Sequence, residues 1–381
     1  MIEERTSDIP RKKIAVLIRN FVTTGGAERY AVEVTKRLAQ LHQITVLCQT
    51  HDPSHCEGLE IITIPRLCVQ PRWINQVLFA YQCSKVTRAG DFDLVHSHER
   101  TWDYNVYVVH CPCYKTKFAE AGSHGLFKYH LKALFSLRHA AYRWLEKQQF
   151  SDKPHRVVVS VSDYITRNIR YCYPEFQLPV VVAPPGVEMP LKRCSAPTVD
   201  GPFNILFVGT EFERKGLEFA LRGFAKLQRS NARLAIAGGG NPASYQGLIR
   251  ELGIESKVQF LGLVRDVSSL YASSHLFLFP TLIEPFGMSP LEAMAHGLPV
   301  VVSDRRHNGF VEQLQEGEAW VLKDARDADE IGKALEALAE GGRWCEMSEK
   351  SLKVAARLNW EFAAGQIDLA NQVVFKAKVI D

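Results

Sequence analysis

The chain has 381 residues, 46% hydrophobic and 23% charged, with a formal net charge of +4. Its length exceeds the roughly 100–200 residues of a usual domain and predicts two, while the composition excludes extended disorder. The small net charge says little about nucleic acid, and nine cysteines without a C-x-x-C unit argue against a disulfide framework or a structural zinc site.

The first residues, MIEERTSDIPRKK, are charged and lack the apolar core of a signal peptide. No later apolar run approaches the roughly 18 residues of a membrane-spanning helix, so the expectation is a cytoplasmic protein. IAVLIRN (14–20) is a β-branched apolar run, and TTGGAERYAVEVTKRLAQL then changes to helical period, with Ala31, Val34, Leu38 and Leu41 on one face. The runs QITVLCQT, LEIITIP, DLVHSH, VYVVH, RVVVSVS and VVVAPPG repeat the strand pattern with helical segments between most of them. Such alternation predicts an α/β fold whose parallel sheet is covered on both faces.

PPGVEMPLKRCSAPTVDGP (184–202) interrupts the alternation with five prolines and two glycines and reads as an interdomain linker. FNILFVG, RLAIAGGG, KVQFLG, LFLFPTL and PVVVSD then form a second alternation, so two Rossmann-like domains are expected. The divisions fall at 1–186 and 187–362, with a terminal helix, 363–381, returning to the first domain.

In IEPFGMSPLEAMAHGLPVV (283–301), Ser289, Pro290 and Glu292 fit a helix start with serine as N-cap, proline at the first position and glutamate completing a capping box. That reading leaves Glu284 unexplained, because Glu284 follows the strand LFLFPTL at the edge where open α/β sheets bind ligands. Gly287 between them lets backbone N–H groups approach a bound group, and the helix aims its positive end there, which suits phosphate. Carboxylates beside a phosphate should instead accept hydrogen bonds from hydroxyls, which in one ligand means a sugar.

VGTEFERKGLEFAL (208–221) places Arg214, Lys215 and Gly216 between another strand and a helix. A solvated charge pair is one reading. The other is a pair of cations that grip two phosphates, Arg as a fork and Lys as a point charge. Gly25 and Gly26 in GGAER form a second turn at a helix start, readable as a simple tight turn or as a backbone-lined anion contact. Asp91 and Asp93 form D-F-D at the amino end of a strand, the wrong edge for a metal-nucleotide site. His110, Cys111 and Cys113 end another strand, but C-x-C is poor zinc geometry. A lone histidine at a strand end, as His110 is, is more often structural, and His98, which also ends a strand, is a weaker candidate for the acceptor side.

The E-x7-E spacing of Glu284 and Glu292 within EPFGMSPLE, together with R-K-G, resembles family four glycosyltransferases of the GT-B fold across essentially the whole chain. The resemblance implies two Rossmann-like domains facing across a cleft, an N-terminal acceptor domain and a C-terminal domain for the donor. It implies that Glu284 reaches the donor sugar hydroxyls, that Glu292 holds the ribose, and that Phe286, Gly287 and Met288 approach sugar and diphosphate through their backbone. Gly25 and Gly26 then face the diphosphate, His110 faces the sugar, and Arg214 and Lys215 stabilise the departing diphosphate without a metal or other cofactor. Transfer in such enzymes retains anomeric configuration, the departing phosphate itself assisting deprotonation of the acceptor. The implied catalytic set is Glu284, His110, Arg214 and Lys215.

Between residues 115 and 156 stand nine basic and three acidic residues, interleaved with Phe118, Phe127, Tyr129, Phe135, Tyr142 and Trp144. This fits an amphipathic segment lying on an anionic membrane and equally a core helix with a solvated charged face; no RNA-binding motif accompanies it. With VYVVHCPCYKTK before it, the segment resembles the lipopolysaccharide core glucosyltransferases. The resemblance implies a hexosyltransferase, with UDP-glucose as first guess and a glycan or glycolipid acceptor. Transfer of N-acetylhexosamine, mannose or heptose, a non-catalytic sugar-nucleotide-binding protein, and a nucleotide-sugar epimerase or dehydrogenase are the competing readings. The last would require G-x-G-x-x-G after the first strand, where the chain has RNFVTTGGAE.

Overall fold

The computed structural model describes residues 11–119, 122–198 and 200–380. The charged stretch before Arg11, and Glu120 of the basic segment, lie outside the described residues. The chain divides into two compact units, one running to Pro184 and resuming at Trp360, the other spanning Pro185–Asn359.

The first unit is built on seven parallel strands in the order Glu60–Thr63, Gln43–Cys48, Lys13–Leu17, Leu94–Ser97, Val106–Val109, Val157–Ser160 and Val180–Val182. The inner strands are continuous aliphatic runs because helices cover both faces of such a sheet, and Ile14, Val16, Val106 and Val158 are buried. The helix Gly26–Leu41 buries Ala31, Val34 and Leu38 on the face its helical period selects, together with Tyr30, whereas Leu41, expected on the same face, is the last helical residue and is 46% exposed.

The last helix, Trp360–Ile380, packs on that first helix, as expected for a returning chain end. His42 Nε2 lies 2.9 Å from Asp368, and Arg37 Nε 2.8 Å from Glu361. The return begins at Trp360 because this side chain is fully buried, its ring 6.1 Å from that of Tyr30.

The second unit holds six parallel strands in the order Val258–Gly262, Ala232–Ala237, Phe203–Val208, Leu276–Phe279, Val300–Ser303 and Trp320–Leu322. The sixth escaped the sequence reading because Trp-Val-Leu is too short a run to stand out. Phe203, Ile205 and Phe207 alternate into a core with Leu217, Leu221, Ile331 and Leu335. The strand order reverses at Phe203–Val208, which has Ala232–Ala237 on one side and Leu276–Phe279 on the other. Ligand crevices in doubly wound sheets open beyond the carboxyl ends at such a reversal.

Candidate functional site

Two loops leave the second unit's sheet at that reversal, one after Val208 and one after Phe279, and they are stitched together by backbone. The Arg214 carbonyl accepts from Leu282 N at 2.9 Å and from Thr281 Oγ1 at 3.2 Å, and Arg214 Nη1 donates to the Ile283 carbonyl at 2.6 Å. Gly216 makes this approach possible: its φ is 74°, and a Cβ there would overlap the Pro280 carbonyl.

The stitching brings Lys215 and Glu284 into contact. Lys215 Nζ donates to Glu284 Oε2, the two side chains being only 12% and 11% exposed, and Arg214 Nη1 lies 3.8 Å from the same oxygen. Arg214 also grips Glu211, with Nε 2.8 Å from Oε2, and the Lys215 ammonium stands 4.9 Å from the Phe279 ring centroid. Glu284 is fixed by its own backbone, since its N–H donates to the His307 carbonyl at 2.7 Å and its carbonyl accepts from Gly309 N at 3.0 Å. Two cations thus share one nearly buried carboxylate. An ammonium carries three N–H groups, so Lys215 can hold Glu284 and still donate to phosphate oxygens.

The helix after Glu284 corrects one expectation. It spans Met288–Ala295 with Gly287 as N-cap, φ 99°. Ser289 therefore lies inside the first turn and caps nothing, because the left-handed glycine starts the helix two residues earlier than the capping-box pattern indicates. Glu292 does not close a capping box either. Its Oε2 accepts from Tyr271 O–H at 3.2 Å. Gly287 offers no side chain to its helix, and a Cβ built on it would lie 3.2 Å from the Glu284 side chain. Phe286 is buried with its ring 5.7 Å from Phe310, so it anchors the loop.

In the first unit, Gly25 is the N-cap of the Gly26–Leu41 helix in extended conformation, φ −124°. Its turn does not need a left-handed glycine. His110 follows the strand Val106–Val109, and its Nε2 lies 3.1 Å from His98 Nδ1. His96, His98 and His110 form a row of rings, with centroids 4.6 Å apart for the first pair and 5.4 Å for the second. Tyr30 meets the His110 ring edge-on at 5.1 Å. Burial pushes His96 down to about 3 and His110 to about 4, and holds His98 well below its ordinary value, so all three are neutral near pH 7. His96 was missed in the sequence. The signal was present in His-Ser-His, since residues two apart on a strand share a face.

Asp91 and Asp93 sit at the amino end of the first strand, where Asp91 Oδ2 lies 2.7 Å from Lys13 Nζ and Asp93 Oδ2 accepts from Lys13 N at 2.8 Å. Cys111 is exposed and Cys113 buried. The basic aromatic segment forms helices Gly122–Phe135 and Leu137–Gln149. Phe118, Tyr129 and Leu145 turn inward, whereas Phe127, Leu134, Phe135 and Leu137 are 64–83% exposed. No helix among the described residues is long and apolar enough to cross a membrane.

The family model described as Glycosyltransferase Family 4 matches residues 24–189, and that described as Glycosyl transferases group 1 matches residues 191–357. The lipopolysaccharide glucosyltransferase WaaG of Escherichia coli K12 is 24% identical over 306 residues, which cover 76% of this chain and 80% of that one. An uncharacterized glycosyltransferase of Methanocaldococcus jannaschii is 47% identical over 103 residues, so the chain spans only 26% of that relative's length. Among solved structures, that of WaaG superposes with a TM-score of 0.74 at 21% identity, covering 93% of this chain and 98% of that one. Anabaena HepE in complex with UDP-glucose superposes with a TM-score of 0.68 at 18% identity, covering 95% and 100%. These likenesses establish the α/β two-domain GT-B fold.

Proposed function

The chain belongs to the glycosyltransferases described as group 1 and family 4, and from that premise we propose that it transfers a hexose from a nucleotide diphosphate sugar, retaining anomeric configuration. UDP-glucose is the first-choice donor and a hydroxyl of a membrane-associated glycan, such as a lipopolysaccharide core, the acceptor. One observation carries the reading: Lys215 and Arg214 meet Glu284 at the carboxyl edge of the second sheet, where its strand order reverses.

In this reading the two cations bind the diphosphate and hold the negative charge that develops on it as the sugar–phosphate bond breaks. Glu284 accepts hydrogen bonds from sugar hydroxyls, Glu292 from ribose, and the backbone of Phe286, Gly287 and Met288 lines the approach. Gly25, Gly26 and His110 contribute from the first unit, which takes the acceptor. The reaction needs no metal, because Arg214 and Lys215 supply the positive charge. The exposed ridge of Phe127, Leu134, Phe135 and Leu137, flanked by Lys128, Lys132 and Arg138, supports an enzyme working at an anionic membrane on the cytoplasmic side.

Thermal stabilisation across UDP, ADP, GDP and their sugar conjugates tests the donor site. A bound nucleotide at a hundred times its dissociation constant stabilises by about 2.7 kcal/mol. A shift selective for one nucleotide and reduced in Arg214→Ala is expected; no shift with any of them contradicts the reading.

A further inference from the structure

We propose that His98 is a positioning residue that fixes the ring tautomer of His110, so that His110 carries its single proton on Nδ1 and meets a bound sugar as a hydrogen-bond donor, never as a base. The proposal rests on the reading that His110 faces the donor sugar.

The geometry leaves two arrangements. His98 Nδ1 and His110 Nε2 stand 3.1 Å apart, and one proton lies between them. Both rings are neutral, since burial disfavours a charge on either and each lies against another imidazole. A neutral ring carries one N–H, so the position of the shared proton fixes the rest of both rings.

If the shared proton belongs to His110, then His98 must carry its own on Nε2. That atom is buried and has no hydrogen-bond partner among the described residues. The arrangement strands an N–H donor in the interior, and stranded donors are rarer in folded proteins than bare acceptors. If the shared proton belongs to His98 Nδ1, then His98 Nε2 is bare, His110 Nε2 accepts, and the His110 proton sits on Nδ1. The second arrangement strands no donor on His98.

Packing holds the pair in this geometry. The His96 ring lies tilted by 30° against His98, and the Tyr30 ring stands edge-on to His110 at 74°, its hydroxyl tied to the Ala183 carbonyl at 3.1 Å. His110 is the only member of the histidine row with appreciable exposure. Its Nδ1–H can strengthen a hydrogen bond to a sugar oxygen. With Nε2 occupied and Nδ1 protonated, no bare nitrogen remains to take a proton.

Long-range proton–nitrogen correlation spectra of the full chain, labelled with 15N-histidine, read the tautomer directly, with His110→Gln assigning the resonances. The wild type is expected to show His110 protonated on Nδ1 and bare on Nε2. His98→Phe removes the donor and shifts His110 towards the Nε2–H form, while the amide of His98→Gln donates in place of the imidazole and restores the wild-type pattern. With the preferred nucleotide sugar, His98→Phe lowers kcat about tenfold, the worth of one hydrogen bond, with KM for the donor within about twofold, and His98→Gln recovers most of the loss. A wild-type His110 protonated on Nε2, or an unchanged His110 tautomer in His98→Phe, overturns the proposal. The wild-type spectrum decides even if His98→Phe does not fold. Turnover of no nucleotide sugar beside an Nδ1–H His110 would instead remove the functional reading and leave the tautomer assignment standing.

Discussion

Gly216→Ala perturbs the site through the backbone alone, and Gly253→Ala is its control. Both glycines hold left-handed backbone, with φ 74° and 65°. An L-residue there costs roughly 1–2 kcal/mol. At Gly253 nothing lies within 4 Å of a built Cβ, so that cost stands alone. At Gly216 the Cβ overlaps the Pro280 carbonyl oxygen, with the carbonyl carbon at 2.9 Å, and backbone cannot rotate out of the way. The two loops must part, adding about 1–3 kcal/mol by analogy with overpacked cores. For a unit of this size each kcal/mol moves the melting temperature by roughly 2–4 °C, so Gly216→Ala should melt about 5 °C below Gly253→Ala. Because parting the loops also separates Lys215 from Glu284, nucleotide should stabilise Gly253→Ala and fail to stabilise Gly216→Ala. Equal melting temperatures with equal nucleotide shifts would refute the reasoning.

Lys215→Met leaves the nearly buried Glu284 carboxylate with Arg214 at 3.8 Å as its cation among the described residues and should cost about 2 kcal/mol in urea unfolding. The double variant with Glu284→Gln should cost less than the sum of the two single changes by about 1–2 kcal/mol. If Arg214 and Lys215 meet the charge on the diphosphate as proposed, excess chelator should leave the turnover rate unchanged; loss of activity restored by a divalent cation would contradict that. Arg357 holds both oxygens of Glu318, at 2.8 and 2.7 Å, and keeps its carboxyl below the ordinary 4.5 against the opposing effect of burial. A depressed carboxyl stabilises above its unfolded pKa and loses that contribution as pH falls through the folded one. The stability gap between wild type and Glu318→Gln, about 1 kcal/mol with Arg357 a third exposed, should therefore be present above the ordinary carboxylate range and close as pH falls below it. Sedimentation with anionic vesicles should be strong at low salt, weaker at high salt, and lost in Leu134→Ser/Phe135→Ser; equal sedimentation of that variant would remove the membrane reading.

The strands were legible because a sheet covered on both faces demands uninterrupted aliphatic runs, and VVVS at 157–160 and at 300–303 has little other use. Placing Glu284 beyond the end of a strand was legible for the same reason. The helix start at Met288 was not, because Gly287 can adopt φ 99° as easily as an ordinary value and nothing local says which it takes. Contacts across the sheet were also hidden. Residues 98 and 110 meet only because parallel pairing of Leu94–Ser97 with Val106–Val109 brings two strand ends together. The Lys215–Glu284 pair, 69 positions apart in the chain, follows from the reversal in strand order, a property of topology rather than of either segment.

The most direct test is release of nucleotide diphosphate from a panel of nucleotide sugars, with Glu284→Ala assayed beside the wild type. The account predicts turnover of one donor and a fall of about a hundredfold or more in the variant. Turnover of none, or a variant that works at the wild-type rate, would contradict it.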